Sequence, residues 1–260
     1  MILSDSHPKR NIDREKTSMK HSLLLLPTLF ALASPTLAKD VPAIVATELP
    51  SLVELYKDLH TNPELSLHEE RTAAILAKEL REAGLEVTEN VGGYGIVGVL
   101  KNGEGPVILV RTDLDALPVK EQTGLPYAST KTVKDDLGRD VPVMHACGHD
   151  VHTTCLLGAA KILMELKDEW EGTVKLIFQP GEEKNPGGAS LMIKDGVLEN
   201  PTPQAILALH VNTILEVGQL SFRSGKVMAS ADELYFTVKG KGGHAASPQL
   251  VVDPILISSH

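Results

Sequence analysis

The segment Met144-His145-Ala146-Cys147-Gly148-His149-Asp150-Val151-His152 carries three imidazoles and one thiol within eight positions. Thiolate and imidazole are preferred ligands of zinc-like ions, and Gly148 leaves the backbone free to turn Cys147 and His149 toward one centre. A Cys-x-His pair alone reads as a polar helix start, with Asp150 as cap and the histidines in water. Four candidate ligands in one short run favour a metal. His145 and His152 read as supports for the ligands rather than as ligands.

Three further signals stand apart in the chain. Phe178-Gln179-Pro180-Gly181-Glu182-Glu183 puts two carboxylates just past an apolar run. Adjacent anions at the rim of an apolar sheet disfavour each other unless a cation compensates. Neighbouring side chains point different ways, so one can bind metal while the other faces an attacking water. Taken alone, Pro-Gly-Glu-Glu is an ordinary exposed turn. Arg111-Thr112-Asp113-Leu114-Asp115 sets alternating acids where another aliphatic run ends, which suits a role near a metal or equally a solvated loop. His210 closes the run Ala205-Ile206-Leu207-Ala208-Leu209, and a histidine so placed is by itself more often a core residue.

The elements that must position these groups follow from periodicity. Apolar residues recur at helical spacing over residues 43–60 and 68–83, where Ala73, Leu76, Ala77 and Leu80 form one stripe and Gly84 is a stop. Strand-like runs follow at 85–88, 95–100 and 106–111, the last a continuous aliphatic stretch suited to burial on both faces. A long polar connection, 112–150, is of a length more often functional than accidental. A helix is expected over 150–166, a strand over 172–179, a short helix over 189–195 and a strand over 204–210. This alternation predicts an α/β fold with a central, largely parallel sheet. In such a sheet the C-terminal strand ends share one edge, where open α/β sheets build their sites. Cys147, His149, Glu183 and His210 are then expected to converge on metal, with Glu182 beside them. From about residue 219 the pattern changes to strands at 219–223 and 233–239 and the turn Gly240-Lys241-Gly242-Gly243, read as the start of a second, smaller α+β domain. The division is therefore a leader at 1–38, part of a catalytic domain at 39–220 and the beginning of a lid domain at 221–260.

Composition narrows the partners. The 260 residues are 42% hydrophobic and only 3% aromatic, so the core must be aliphatic. Net charge is −9, and residues 39–260 hold 20 basic against 31 acidic side chains with no basic stripe, which excludes nucleic acid as a partner. From Met19 the chain reads as an export signal: a basic start, a Leu-rich run of about ten residues and a small-residue end at Thr36-Leu37-Ala38. That run falls short of the roughly 20 residues of a membrane span. A periplasmic or secreted protein cleaved near Ala38, without a stable membrane anchor, is the expectation. Cys147 and Cys155, eight positions apart on a helix, would sit roughly 12 Å from each other, too far for a disulfide. Among the glycines at 92, 93, 95 and 98, the last three stand in Gly-x-Gly-x-x-Gly spacing, but residues 96–100 read as strand and no helix opens there, so a dinucleotide site is discounted.

The motifs RTDLDALP, MHACGHDVHTTCLLGAA, IFQPGEE, LALHVN and GKGGHAASP resemble, in order and spacing, the M20 family of metallopeptidases in its amidohydrolase branch. That branch contains hippurate hydrolases, N-acyl-amino-acid amidohydrolases and plant auxin-conjugate hydrolases. The resemblance spans about residues 42–260 and implies a zinc-peptidase-like catalytic domain with a lid that also dimerises. It implies Cys147, His149, Glu183 and His210 as ligands of two divalent ions, manganese or zinc foremost, with cobalt or nickel as alternatives. Glu182 takes the place of the general base. Asp115 matches the acid that supports the site, and Asp113 stands where the wider family has a histidine. His244 resembles a lid histidine that contacts the reacting carbonyl, often across a homodimer interface. Substrates implied are N-acyl amino acids or small dipeptides. Family members are considerably longer, and the chain stops within the lid, before a last metal-binding histidine. The rival expectation is accordingly a secreted, catalytically inactive remnant that still binds metal.

Overall fold

The computed structural model describes residues 39–228 and 234–260. The expected leader, and the first residue of the strand expected at 233–239, lie outside them. Helices α1 (Val41–Thr61) and α2 (Glu70–Glu82) precede strands β1 (Glu86–Val91), β2 (Gly95–Asn102) and β3 (Val107–Asp113). A small hairpin, β4 (Thr132–Lys134) and β5 (Asp140–Pro142), leads to α3 (His149–Glu165), β6 (Gly172–Gln179), α4 (Gly188–Lys194), β7 (Ala205–Ala208) and α5 (Pro254–Ser258). Among the described residues no helix is long and apolar enough to cross a membrane.

The central sheet has the order β1-β2-β6-β3-β7. β6, β3 and β7 are parallel neighbours, while β2 is antiparallel to both β1 and β6. Four of the five strands thus share a direction, and β2 alone opposes them. The expected α/β class is what forms, with one reversed strand among the parallel ones.

The pleat sends alternate side chains to opposite faces. Ile96, Leu100, Leu176 and Phe178 face α2 and α3, meeting Leu76, Ala77, Leu80, Leu156, Leu157 and Ala160 in one aliphatic core. Val97, Leu109 and Ile177 point the other way, against Met192 of α4 and Val197. Fully burying a Leu, Ile or Phe stabilises by about 1.5–3 kcal/mol, so this two-sided core fixes β3 and β6, the strands that carry the site. α1 lies outside α3, and at Gly158 a Cβ would fall 2.9 Å from Leu52 Cδ1, a separation that admits only glycine without repacking.

Three differences from expectation have physical causes. α2 begins at Glu70 because Glu64, from the preceding loop, accepts from the Arg71 and Thr72 backbone N–H groups at 3.1 and 2.7 Å and caps the helix from outside. The long connection contains the β4–β5 hairpin, too short and polar to leave a periodic signature. Residues 219–223 and 234–239 form no strand among the described residues. A strand needs a neighbouring backbone to bond, and Leu220, Phe222 and Phe236 stay exposed.

Beneath the start of α3 a buried ionic cluster ties the long connection to two helices. His60 of α1 sits between Asp150 (Nδ1 to Oδ2, 2.6 Å) and Glu121 (Nε2 to Oε1, 3.1 Å). Tyr56 and Tyr127 pack on the ring. Burial alone would lower the His60 pKa, but hydrogen bonds to Asp150 and Glu121 outweigh it and raise the pKa above 6.5. Glu121 is lowered below 4.5 because its hydrogen bonds to Thr123, Ser129 and His60 outweigh its own burial. The stabilisation is therefore complete between about pH 4.5 and 6.5 and disappears as pH rises through the raised His60 pKa. His60→Gln is expected to cost roughly 3 kcal/mol at pH 6, and the difference from wild type should shrink by pH 9 in urea unfolding. A pH-independent difference would contradict a charged His60.

Candidate metal centre

The parallel neighbours β6, β3 and β7 deliver their C-terminal ends to one edge. Asp113 ends β3 and Asp115 lies two residues on; Glu182 and Glu183 follow the turn after β6; His210 lies two residues past β7. Cys147 and His149 arrive from the start of α3. Gly148 between them has φ +81°, a left-handed conformation that turns both side chains inward. A Cβ there would lie 2.5 Å from Val211 Cγ2.

His149 is the hub. Its ring is fully buried, and Nδ1 lies 3.2 Å from Asp115 Oδ1. Nε2 faces Asp113 Oδ2 at 3.7 Å, Glu183 Oε1 at 3.9 Å and Glu182 Oε2 at 4.0 Å. None of these is a hydrogen bond, and both His149 Nε2 and Glu183 Oε1 are buried without a hydrogen-bond partner. Buried polar atoms are almost always satisfied. Two orphans facing each other at this distance are what a shared cation explains, since ligand bonds of about 2.0–2.3 Å hold donors well beyond hydrogen-bond reach. Cys147 Sγ lies 3.3 Å from His210 Nε2. Among the described residues three overlapping donor groups, each with atoms within 4.8 Å of one another, all contain His149: with Cys147 and His210, with Glu182 and Glu183, and with Asp113 and His152.

In the last group His152 is already engaged. Its Nδ1 lies 2.8 Å from Asp113 Oδ1, and its Nε2 accepts from the Val211 backbone N–H at 2.9 Å. That acceptor role assigns the ring proton to Nδ1, donated to Asp113. His152 therefore ties β3 to the segment bearing His210. His145, also set aside as a ligand, is wholly internal, and burial lowers its pKa to about 4.

The electrostatics point the same way. Burial raises the Asp113 pKa, but the His152 hydrogen bond and the charges of His149 and Arg111 outweigh it and hold the carboxyl at about 2. Arg111 reaches Asp113 Oδ2 at 2.9 Å and Gln179 Oε1 at 2.9 Å. Burial, then Glu183, Glu182 and Asp113, push the Cys147 thiol up to about 12. Burial and the neighbouring Glu183 also raise Glu182. Anions crowd this edge, and a divalent cation would reverse each upward shift. The mixed S, N and O donor set fits a divalent metal ion.

Asp115 is a buried bracket rather than an exposed acid. Oδ2 accepts from Ser66 Oγ at 2.6 Å and from the Glu183 backbone N–H at 2.8 Å, while Oδ1 engages His149. His244 stands apart: among the described residues it joins none of the hydrogen bonds, ion pairs or donor groups of Cys147, His149, Glu182, Glu183 and His210, and its Nδ1 accepts from the Ala246 backbone at 3.1 Å. Ser66, Arg111 and Glu69, which also shape the edge, were not singled out from the sequence. The only signal for the first and last was Ser-x-x-Glu before an apolar helix, which suggests a helix cap rather than a contact with a distant loop.

The sequence model of Peptidase family M20/M25/M40 matches residues 109–256. The chain is 42% identical over 209 residues to IAA-amino acid hydrolase ILR1-like 5 of Arabidopsis thaliana, covering 80% of this chain and 45% of that protein. It is 39% identical over 219 residues to N-acetyl-L-cysteine deacetylase of Bacillus subtilis, covering 84% and 50%. The crystal structure of the Bacillus subtilis YXEP protein, described as a dinuclear metal binding peptidase from the M20 family, aligns with a TM-score of 0.59 at 36% identity, covering 66% of this chain and 45% of that one. The chain spans about half the length of the curated relatives it matches.

Asp115→Ala would leave the Glu183 N–H, the Ser66 hydroxyl and His149 Nδ1 without their acceptor. The expected cost is about 3 kcal/mol in urea unfolding at pH 7. Burial raises the Asp115 pKa, but the His149, Ser66 and Glu183 hydrogen bonds outweigh it and bring it below 3.8. The wild-type advantage should therefore hold above that pH and fade as pH falls through the lowered value. Equal midpoints at pH 7 would remove Asp115 as the holder of this edge.

Proposed function

Since the chain belongs to Peptidase family M20/M25/M40, we propose that its site serves metal-dependent hydrolysis of the amide bond in N-acyl amino acids or small peptides. The observation that carries this reading is the facing pair of buried, unpartnered donors, His149 Nε2 and Glu183 Oε1, set among Cys147, His210 and Glu182. Cys147, His149, Glu183 and His210 hold divalent metal, two ions in all. Manganese or zinc suits the donors best, and cobalt or nickel can substitute. When bound, the metal lowers the pKa of water and polarises the scissile carbonyl.

The chain's own groups perform the rest. Glu182, half-exposed beside the ligands, accepts the proton of the attacking water and returns it to the leaving amine. Its raised pKa, from burial and from Glu183, suits a group that must take and release a proton. Asp115 fixes His149 through Nδ1 and Glu183 through its backbone, so two ligands share one bracket. Asp113, held as an anion by His152, His149 and Arg111, would add negative charge beside the ligands of a bound cation. The GKGGHAASP motif supports His244 as the group that contacts the substrate carbonyl, across the interface of a homodimer. The relatives' names, an amino acid hydrolase and an N-acetyl-L-cysteine deacetylase, support an acyl–amino acid linkage as substrate. The leader motif supports export, with cleavage near Ala38.

Glu182→Gln keeps the shape and removes the base. With Mn²⁺ or Zn²⁺ supplied and N-acetyl or N-benzoyl amino acids as substrates, turnover is expected to fall by about 10²–10⁴-fold while metal content stays the same. Unchanged turnover would remove Glu182 from this role. Metal binding without turnover in the wild-type chain would favour the non-catalytic reading.

A further inference from the structure

Glu69 is an ionisable side chain with no access to solvent. Its Oε1 accepts two backbone N–H groups, from Leu67 at 2.8 Å and from Gly181 at 2.7 Å, and its Oε2 is buried without a partner. Gly181 immediately precedes Glu182. It has φ +55°, and a Cβ there would lie 2.6 Å from Leu67 Cδ2. Leu67 itself has φ +65°, a conformation few side-chain-bearing residues adopt. One carboxylate oxygen thus clamps two left-handed residues, from separate segments, against each other.

The far side of Glu182 is held by the same short loop. Ser66 donates to Asp115, whose same oxygen accepts the Glu183 backbone N–H. The Gly181 carbonyl accepts from Gly188 and closes the turn behind the two glutamates. The backbone on either side of Glu182 is therefore pinned, by Glu69 at 181 and by Asp115 with Ser66 at 183.

We infer that Glu69 is a positioning residue that sets the Gly181–Glu183 backbone so that Glu183 meets the metal and Glu182 meets the water. The inference rests on the functional reading above. A carboxylate buried merely to satisfy two amides would act on stability alone. One that orients a ligand and a base acts on metal affinity and on kcat. Burial pushes Glu69 up to about 7, against the pull of the Gly181 and Leu67 amides, so glutamine closely mimics its protonated form.

The test uses the full chain with Glu69→Ala, Glu69→Asp and Glu69→Gln. Mn²⁺ and Zn²⁺ affinities are measured by competition with a chromophoric chelator, and circular dichroism reports folding. Removing a group that supports a ligand weakens metal binding by roughly 10–100-fold. That loss is expected for Glu69→Ala, and for Glu69→Asp, whose shorter arm withdraws the acceptor while keeping the charge. Glu69→Gln, which keeps the acceptor, should bind within about threefold of wild type. Where turnover is measured, kcat should follow the same order with KM little changed. If Glu69→Ala does not fold, Glu69→Asp decides. Wild-type affinity in the folded Ala or Asp variants, or a Gln variant as weak as Ala, would overturn the assignment while leaving the metal site intact. Absence of metal binding by the wild-type chain would instead sink the functional reading, and this inference with it.

Discussion

Negative charge concentrated at one sheet edge is the constraint around which the rest is arranged. Asp113, Asp115, Glu182 and Glu183 lie about the buried imidazole of His149, with the Cys147 thiol beside it and Arg111 as a nearby fixed cation. Like charges at such separations push one another's pKa values up unless a cation intervenes, and burial first, then the neighbouring carboxylates, push Cys147 and Glu182 that way. The aliphatic core on both faces of the sheet keeps β3 and β6 in register, so the edge cannot spread to relieve the repulsion. A cation relieves it without moving the strands.

Rigidity beneath the site comes from polar brackets rather than from packing alone. Asp115 joins three groups, His152 joins β3 to the segment after β7, and Glu69 joins the loop before α2 to the turn after β6. Each bracket is a buried side chain satisfying backbone or ring donors from distant parts of the chain, the arrangement by which metal ligands are oriented. The His60 cluster does the same one layer deeper, fastening the long connection to the start of α3.

Much of this was legible in the residues. The aliphatic run ending in Arg111, the Pro-Gly-Glu-Glu turn and the Cys-x-His helix start each betray themselves locally, and the parallel order of their strands brings them together. Once the sheet is α/β, the edge follows from strand direction. What stayed hidden depends on contacts between segments remote in sequence. Glu69 sits inside an apolar helical pattern and reads as its first turn; only the fold shows its carboxylate turned toward Gly181. The β4–β5 hairpin has three-residue strands, too brief for period-two alternation to register. The patterns at 219–223 and 233–239 promised strands, yet a strand exists only where another backbone lies beside it. His244 carries a clear motif but lies apart from the cluster among the described residues, so its sequence signal outruns its present contacts.

The central claim is that the sulfur of Cys147 and the imidazole and carboxylate donors gathered around it bind one and the same metal centre. Titration of the chain with Co²⁺, followed by ultraviolet and visible absorption, tests it most directly. The account predicts a thiolate-to-cobalt charge-transfer band that saturates with binding and vanishes in Cys147→Ser. Cobalt bound with no such band, or a band that survives the loss of Cys147, would contradict it.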